Sequence, residues 1–154
     1  MLFLSTFLNK IDKKGRISVP ATFRSALAKT GASDDFSGII VYSSFINNCI
    51  EACGIERVQK LSSRIESLDP FSEERDVFAT TILGGSVQLP FDSEGRVMLP
   101  EHLIEAAGIK EAASFVGKGE TFEIWEPKAF TEYAARARMI AREKRLSLRS
   151  DGGA

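Results

Sequence analysis

A nine-residue motif occurs twice in the chain, and its residue types are those of a tight turn that presents an arginine. Each copy runs Asp, two variable positions, Gly, Arg, three further positions and Pro, over residues 12–20 and 92–100. The Asp side chain accepts hydrogen bonds from backbone amides in such a turn, and Gly adopts the positive φ that other residues resist. We expect each turn to place its arginine, Arg16 or Arg96, at the start of the outgoing strand. The turn-shaping residues are Asp12, Gly15, Asp92 and Gly95.

The first turn is more basic than the second. Lys13 and Lys14 occupy its variable positions and Arg24 follows its proline by one helical turn, whereas the second turn has Ser93 and Glu94. Cations on a turn and a nearby helix start can neutralise phosphates, and Arg can also contact a guanine edge with two hydrogen bonds. The pattern indicates a loop that faces an anion. The alternative is that each Asp–Arg pair only braces its own hairpin.

Charge is distributed unevenly along the chain although the formal net charge is only −1. Residues 1–30 and residues 136–149 each contain six basic side chains and one acidic one, whereas residues 86–112 contain two basic and five acidic ones. Because a local patch governs encounter with a charged partner, the near-neutral total does not exclude a polyanion. We expect the basic C-terminal helix either to dock on a neighbouring protomer or to add a contact to a DNA backbone.

The two halves of the chain predict the same order of elements: strand, turn, strand, short helix, two strands and a longer helix. Strands are predicted at 39–42, 50–52, 114–116 and 122–125, and short helices at 21–28 and 101–107. Longer helices are predicted over 55–65, 70–83 and 127–146, ahead of a flexible tail at 147–154. Asp69 is predicted to cap the second of these helices and Pro70 to begin it.

The other chemically reactive residues form no catalytic or metal-binding pattern. Cys49 and Cys53 have only one histidine, His102, to join them, which is too few for a four-ligand zinc site from one chain. We expect both thiols to serve packing, and His102 lies beside no nucleophile motif. Glu51 and Glu123 occupy matching strand positions, which indicates architecture, and no phosphate loop occurs. We therefore expect no enzyme, no metal, no cofactor and no small-molecule substrate.

Composition places the chain among ordinary globular proteins. Its 154 residues are 44% hydrophobic and 27% charged, enough for one compact domain or two small associated halves. No apolar run approaches the roughly 20 residues of a membrane helix, and the start of the chain lacks a basic leader. We expect a cytoplasmic protein with no membrane partner.

Residues 8–21 closely resemble the first motif of the MraZ family of bacterial transcriptional regulators. The second motif, the strand at 122–125 and the overall length are also similar to that family, so the resemblance covers residues 1 to about 146. More distantly, each half resembles the swapped-hairpin module of AbrB-type regulators, whose D-x-x-G-R-x-x-x-P-x-x-x-R pattern matches Asp12 through Arg24. The resemblance implies an α+β, mainly β fold: a double-split (swapped-hairpin) β-barrel formed by two internal repeats, with flanking helices.

The resemblance also implies a domain organisation. The expected segments are a first AbrB-like repeat at 1–54, connecting helices at 55–83, a second AbrB-like repeat at 84–126, a C-terminal helix at 127–146 and a flexible tail at 147–154.

By the same resemblance, the chain is expected to bind double-stranded DNA at short, tandem, G-rich repeats as a ring-shaped homo-oligomer. It would regulate, and usually repress, the operon for cell division and cell-wall synthesis, and would be associated with the nucleoid. Arg16 would carry recognition, and Lys13, Lys14 and Arg24 would contact phosphates. Arg96 would contact DNA or serve a structural or oligomer role. The alternative function is a protein-interaction or assembly module of the same fold, an antitoxin-like partner binder.

Overall fold

A computed structural model describes residues 1–29 and 36–148 of the chain. Within them, a six-stranded antiparallel sheet and a separate two-stranded ribbon are accompanied by helices. The strands are β1 (Thr6–Lys10), β2 (Arg16–Ser18), β3 (Gly38–Ser43), β4 (Ile50–Cys53), β5 (Val87–Pro90), β6 (Arg96–Met98), β7 (Ala112–Gly117) and β8 (Phe122–Trp125). The helices are α1 (Ala21–Ala28), α2 (Ile55–Glu66), α3 (Glu73–Phe78), a π-helix (Ala79–Leu83), α4 (Glu101–Ala107), α5 (Pro127–Glu143) and a 3₁₀ turn (Arg145–Leu148).

Strands of the two halves of the chain are interleaved in one sheet rather than forming separate sheets. The sheet order is β1-β7-β8-β4-β3-β5, so β1 of the first half pairs with β7 of the second, and β5 of the second pairs with β3 of the first. At the centre β4 pairs with β8, and Glu51 lies opposite Glu123. The ribbon likewise pairs β2 with β6. Each half therefore depends on strands of the other half for part of the backbone hydrogen bonding of its own strands.

One apolar core fills the space between the sheet and the ribbon. Side chains alternate between the two faces of a strand, so one face of the ribbon contributes to this core. In β2 and β6 the central residues Ile17 and Val97 point inward, and both are 1% exposed. Aromatic rings from both halves meet there edge to face, with the centroids of Phe3 and Phe122 4.9 Å apart and those of Phe3 and Phe23 5.3 Å apart.

Two smaller apolar clusters cover the opposite face of the sheet. Tyr42 packs with residues of α2 and the π-helix, while Trp125 packs with Phe130 and Tyr133 of α5. The Trp125 and Tyr133 rings are stacked, with centroids 5.1 Å apart. Across the described ranges, none of these helices has the length and apolar content to cross a lipid bilayer.

The predicted strands and short helices are confirmed. The four strand predictions fall within β3, β4, β7 and β8, and the two short helices coincide with α1 and α4. Gly108 ends α4 in the left-handed conformation, with φ of 69°. The helix predicted over 55–65 is α2, longer by one residue.

The predicted helix beginning at Pro70 is wrong in its start and in its type. Asp69 accepts a hydrogen bond from the Phe71 amide and so closes a turn, and α3 begins only after Ser72, whose hydroxyl accepts from the Arg75 amide. Beyond α3 the chain continues as a π-helix rather than an α-helix. The residue that caps α3 is Ser72, three positions after the predicted cap.

The C-terminal helix is shorter than predicted, because α5 ends at Glu143 and a 3₁₀ turn follows. Of the predicted flexible tail, Ser147 and Leu148 belong to that turn, and residues 149–154 lie outside the described part of the chain.

Candidate nucleic-acid interface

The β2–β6 ribbon presents one face outward and one inward. In the antiparallel register Arg16 lies opposite Met98, and Ser18 lies opposite Arg96. These four residues share the outer face, because Ile17 and Val97 between them are buried in the core. A two-stranded ribbon of this kind is narrow enough for the DNA major groove.

The first turn is built as the motif predicts. The Asp12 carboxylate accepts from the backbone amides of Lys14 and Arg16, both at 2.9 Å, and Gly15 has φ of 88°. The same carboxylate accepts from the Arg16 Nε at 2.7 Å. The hydrogen bond from the Arg16 amide, with those from the Arg16 side chain and the Lys14 amide, holds the pKa of Asp12 below its usual 3.8, so the carboxylate stays charged at neutral pH.

Arg16 is held by one edge of its guanidinium and open at the other. Its Nε is bound to Asp12, and no other residue in the described ranges accepts a hydrogen bond from its Nη atoms. The side chain is 36% exposed. Arg16 therefore braces the turn through its Nε and keeps the charged edge formed by its Nη atoms without a partner in the described ranges.

The second turn repeats this geometry with an added acidic contact. Asp92 accepts from the Glu94 and Arg96 amides and from the Arg96 Nε at 2.8 Å. In addition, Glu94 Oε2 lies 3.4 Å from an Arg96 Nη, so this guanidinium has an acidic partner at its outer edge as well. The hydrogen bond to Asp92 raises the pKa of Arg96, which keeps the pair ionised.

Each turn packs against the other half of the chain. The Gly15 carbonyl accepts from the Leu99 amide, and the Gly95 carbonyl accepts from the Val19 amide. A Cβ on Gly95 would lie 2.7 Å from the Arg24 Cζ, so glycine there serves both the positive φ of 75° and the close approach of this guanidinium.

Arg24 therefore does not belong to the cluster around the first turn, and that part of the sequence interpretation is wrong. Its guanidinium lies against Gly95 and donates from Nε to the Val19 carbonyl at 3.1 Å. The register separates Gly15 from Gly95 by four strand steps, about 13 Å. The alignment of the two repeats places each short helix beside the turn of its own half, whereas in the structure Arg24 of α1 lies beside the turn of the other half.

The ribbon's two ends consequently differ in charge. Lys13 and Lys14 are exposed at the first end, where Arg16 balances Asp12. At the second end the acidic Asp92 and Glu94 outnumber Arg96, and Arg24 adds a positive charge nearby. Counted over the two turns and Arg24, only the first end has a surplus of positive charge, and Glu101, Glu105 and Lys110 line the same cavity as its lysines.

Two outer-face residues were missed by the sequence interpretation. Met98 is 56% exposed in the second strand, and Ser18 is exposed in the first. The alternation of buried Ile17 and Val97 with their neighbours could have identified both, because residues two apart in a strand share a face.

Within the described ranges, the two cysteines and the matching strand residues Glu51 and Glu123 occupy structural positions. Both cysteines are buried as free thiols, and burial raises the pKa of each to about 12. Glu123 accepts hydrogen bonds from Trp125 Nε1 and Lys118 Nζ, and Glu51 accepts from the Tyr42 hydroxyl. No cluster of three metal-ligating side chains occurs in residues 1–29 and 36–148.

Comparison with known proteins identifies one family. A family model described as "MraZ protein, putative antitoxin-like" matches residues 82–150. The chain is 57% identical over 150 residues to a protein of Rickettsia bellii (strain OSU 85-389) and 55% identical over 149 residues to one of Rickettsia africae (strain ESF-5). A protein of Rickettsia canadensis (strain McKiel) is also 55% identical over 149 residues. Each match covers 97% of both chains, and each relative is named "Transcriptional regulator MraZ".

These relatives of this mixed α/β chain are named as one class of protein, transcriptional regulators. Identity above one half along nearly its whole length shows the family: the chain belongs to the MraZ family.

Proposed function

We propose that this chain is a sequence-specific DNA-binding regulator that represses its own operon, and that the β2–β6 ribbon reads the DNA. One observation carries the proposal: the outer face of the ribbon presents Arg16 with its outer guanidinium edge open, directly beside the exposed Lys13 and Lys14. An open guanidinium edge can contact a guanine with two hydrogen bonds, and flanking lysines neutralise phosphates.

The remaining site residues take roles from their positions. Arg24, at the other end of the ribbon, is proposed to contact a phosphate there. Arg96 is proposed as a weaker DNA contact, because Glu94 shares its outer edge. Asp12, Gly15, Asp92 and Gly95 are proposed to hold the two turns in the shape that presents these arginines.

The architecture is proposed to be a double-split β-barrel of two swapped-hairpin repeats, with the repeats at 1–54 and 84–126, connecting helices at 55–83, the C-terminal helix at 127–146 and a tail at 147–154. The pairing of β2 with β6 and of β1 with β7 supports this, since each repeat completes the other. We further propose that the chain acts in the cytoplasm, at the nucleoid.

The target is proposed to be the operon for cell division and cell-wall synthesis, read at short, tandem, G-rich repeats by a ring of protomers. A single turn with three cations binds weakly at physiological salt. Neighbouring protomers on tandem sites raise the effective concentration of each further contact, so a ring would supply the missing affinity.

The test is an anisotropy titration with a duplex carrying the repeats upstream of this protein's own gene, against a scrambled duplex. Arg16→Ala is expected to lose about 5- to 150-fold in affinity for the specific duplex, and to approach its affinity for the scrambled one. The matched control is Arg64→Ala, which removes an exposed arginine of α2 outside the ribbon and should bind as the wild type does.

Unchanged operator affinity in Arg16→Ala would overturn the assignment of the ribbon. Equal affinity of the wild type for both duplexes would instead favour the alternative function, a protein-interaction module of the same fold whose basic turn meets an acidic protein surface.

A further inference from the structure

The distal part of α5 is a helix without a neighbour in the described structure. Its first turns pack on the sheet through Ala129, Phe130 and Tyr133, but from Arg138 to Glu143 every side chain is exposed. At 1.5 Å per residue this part is about 9 Å long. These turns gain no burial from the described chain, although most helical stability in proteins comes from tertiary packing of an amphipathic face.

The distal part of α5 combines apolar and basic side chains. Met139 is 65% exposed and Ile140 49%. Arg138 and Arg142 flank them, and Lys144 and Arg145 follow. None of these four cations forms an ion pair with any residue in the described ranges.

The region around α3 has the opposite charge and a similar apolar content. No residue of α3 is buried, and Glu73, Glu74 and Asp76 are exposed without an ion pair in the part of the chain described. Among them lie exposed apolar side chains, with Phe71 95% exposed. The others are Phe45, Val77 and Phe78, and the Phe45 and Phe78 rings lie 6.4 Å apart.

We propose that the distal part of α5 of one protomer docks on the α3 surface of a second copy of this chain. The proposal rests on the ring in the proposed function and names its contact. Apolar side chains would form the centre of the interface, with opposite charges at its rim, which is the usual composition of protein interfaces. The two surfaces differ, so the contact can be repeated head to tail from copy to copy, and this heterologous arrangement produces a ring when the rotation closes.

DNA fits the distal part of α5 less well than a second copy of this chain does. A phosphate backbone would satisfy the four cations but would leave Met139 and Ile140 in water. The acidic α3 surface would repel it. Only a partner with both acidic and apolar side chains satisfies the whole distal part of α5, and this chain carries such a surface.

The experiment is charge reversal with complementation, read as solution mass by light scattering. Arg138→Glu/Arg142→Glu reverses the α5 surface, and Glu73→Lys/Glu74→Lys reverses the α3 surface. Each variant alone is expected to show at least a twofold loss of the wild-type assembly mass, because like charges face each other. An equimolar mixture should regain the wild-type mass, because the reversed charges again match. Lys110→Glu/Lys128→Glu, with the same net charge change, is the control and should keep the wild-type mass.

Three outcomes would overturn the docking proposal. A monomeric wild type of 16.9 kDa removes the contact altogether. Wild-type mass in both reversed variants places the interface elsewhere, and a loss of DNA affinity alone in the α5 variant makes DNA its partner. Arg16→Ala separates the two proposals, since it should keep the mass while losing operator binding. Equal affinity of the wild type for the operator duplex and the scrambled duplex would refute the proposed function and leave the docking contact standing.

Discussion

At the scale of single residues, the structure braces Arg16 at one edge of its guanidinium and leaves the other edge without a partner in the described ranges. Asp12 binds the Arg16 Nε and thereby fixes the direction of the side chain, while the outer edge remains open. A guanidinium that is already oriented loses less conformational entropy when it binds. The brace that the motif suggested is present, and it is compatible with the proposed contact, for which it would orient the guanidinium in advance.

We predict that Lys13→Ala weakens binding to all DNA sequences about equally and lowers the slope of log affinity against log salt by roughly one unit, because one phosphate contact is lost. The matched control is Ser93→Ala, at the equivalent position of the second turn, which should leave the slope unchanged. Titrations at several salt concentrations measure both. A change confined to the specific duplex would show that Lys13 reads bases.

At the scale of elements, the ribbon depends on two buried side chains. Strands β2 and β6 contain only three residues each, and Ile17 and Val97 are the residues that fix them to the core. The outer face, which is proposed to meet DNA, keeps its shape because the inner face is packed.

We predict that Ile17→Ala lowers the free energy of unfolding by about 2–5 kcal/mol, since it leaves a cavity in the main core. Ser18→Ala, one position away on the exposed face, should change it by no more than about 0.5 kcal/mol. Urea denaturation followed by the fluorescence of Trp125 measures both. Equal stability of the two variants would contradict the described burial of the ribbon.

The elements also show what the sequence could predict. Short apolar segments predicted β3, β4, β7 and β8, and the motif predicted both turns, because these depend on residues a few positions apart. The neighbour of Arg24 could not be predicted, since it depends on the register of β2 with β6 across some 80 positions. The start of α3 was missed for a local reason, the competition between Asp69 and Ser72 as caps.

At the scale of the whole molecule, the two halves share one core and one sheet. Phe3 and Phe23 of the first half pack on Phe122 of the second, and β1 finds its only strand partner, within the described ranges, in β7. Neither half can open without exposing the apolar side chains of the other. We therefore expect the chain to unfold as one cooperative unit.

We predict that neither thiol reacts with a thiol reagent in the native protein at pH 8. Burial raises the pKa of Cys49 and Cys53 to about 12, so only about one thiol in ten thousand is ionised, and access is blocked as well. Labelling across a urea series should follow the same transition as the fluorescence of Trp125, which packs beside Cys49. Labelling of Cys49 at lower urea would show that α5 detaches before the core unfolds.

The unlike ends of the ribbon give this nearly symmetric molecule a polarity. A DNA-binding ribbon with identical ends would bind a site and its reverse complement equally well, so its targets would be palindromes. Here one end carries Lys13 and Lys14 where the other carries Ser93 and Glu94, so turning the protein around on a duplex exchanges favourable for unfavourable contacts. Copies related by rotation about a common axis all face the same way, and the half-sites they occupy are therefore expected to follow one another in the same 5′-to-3′ sense.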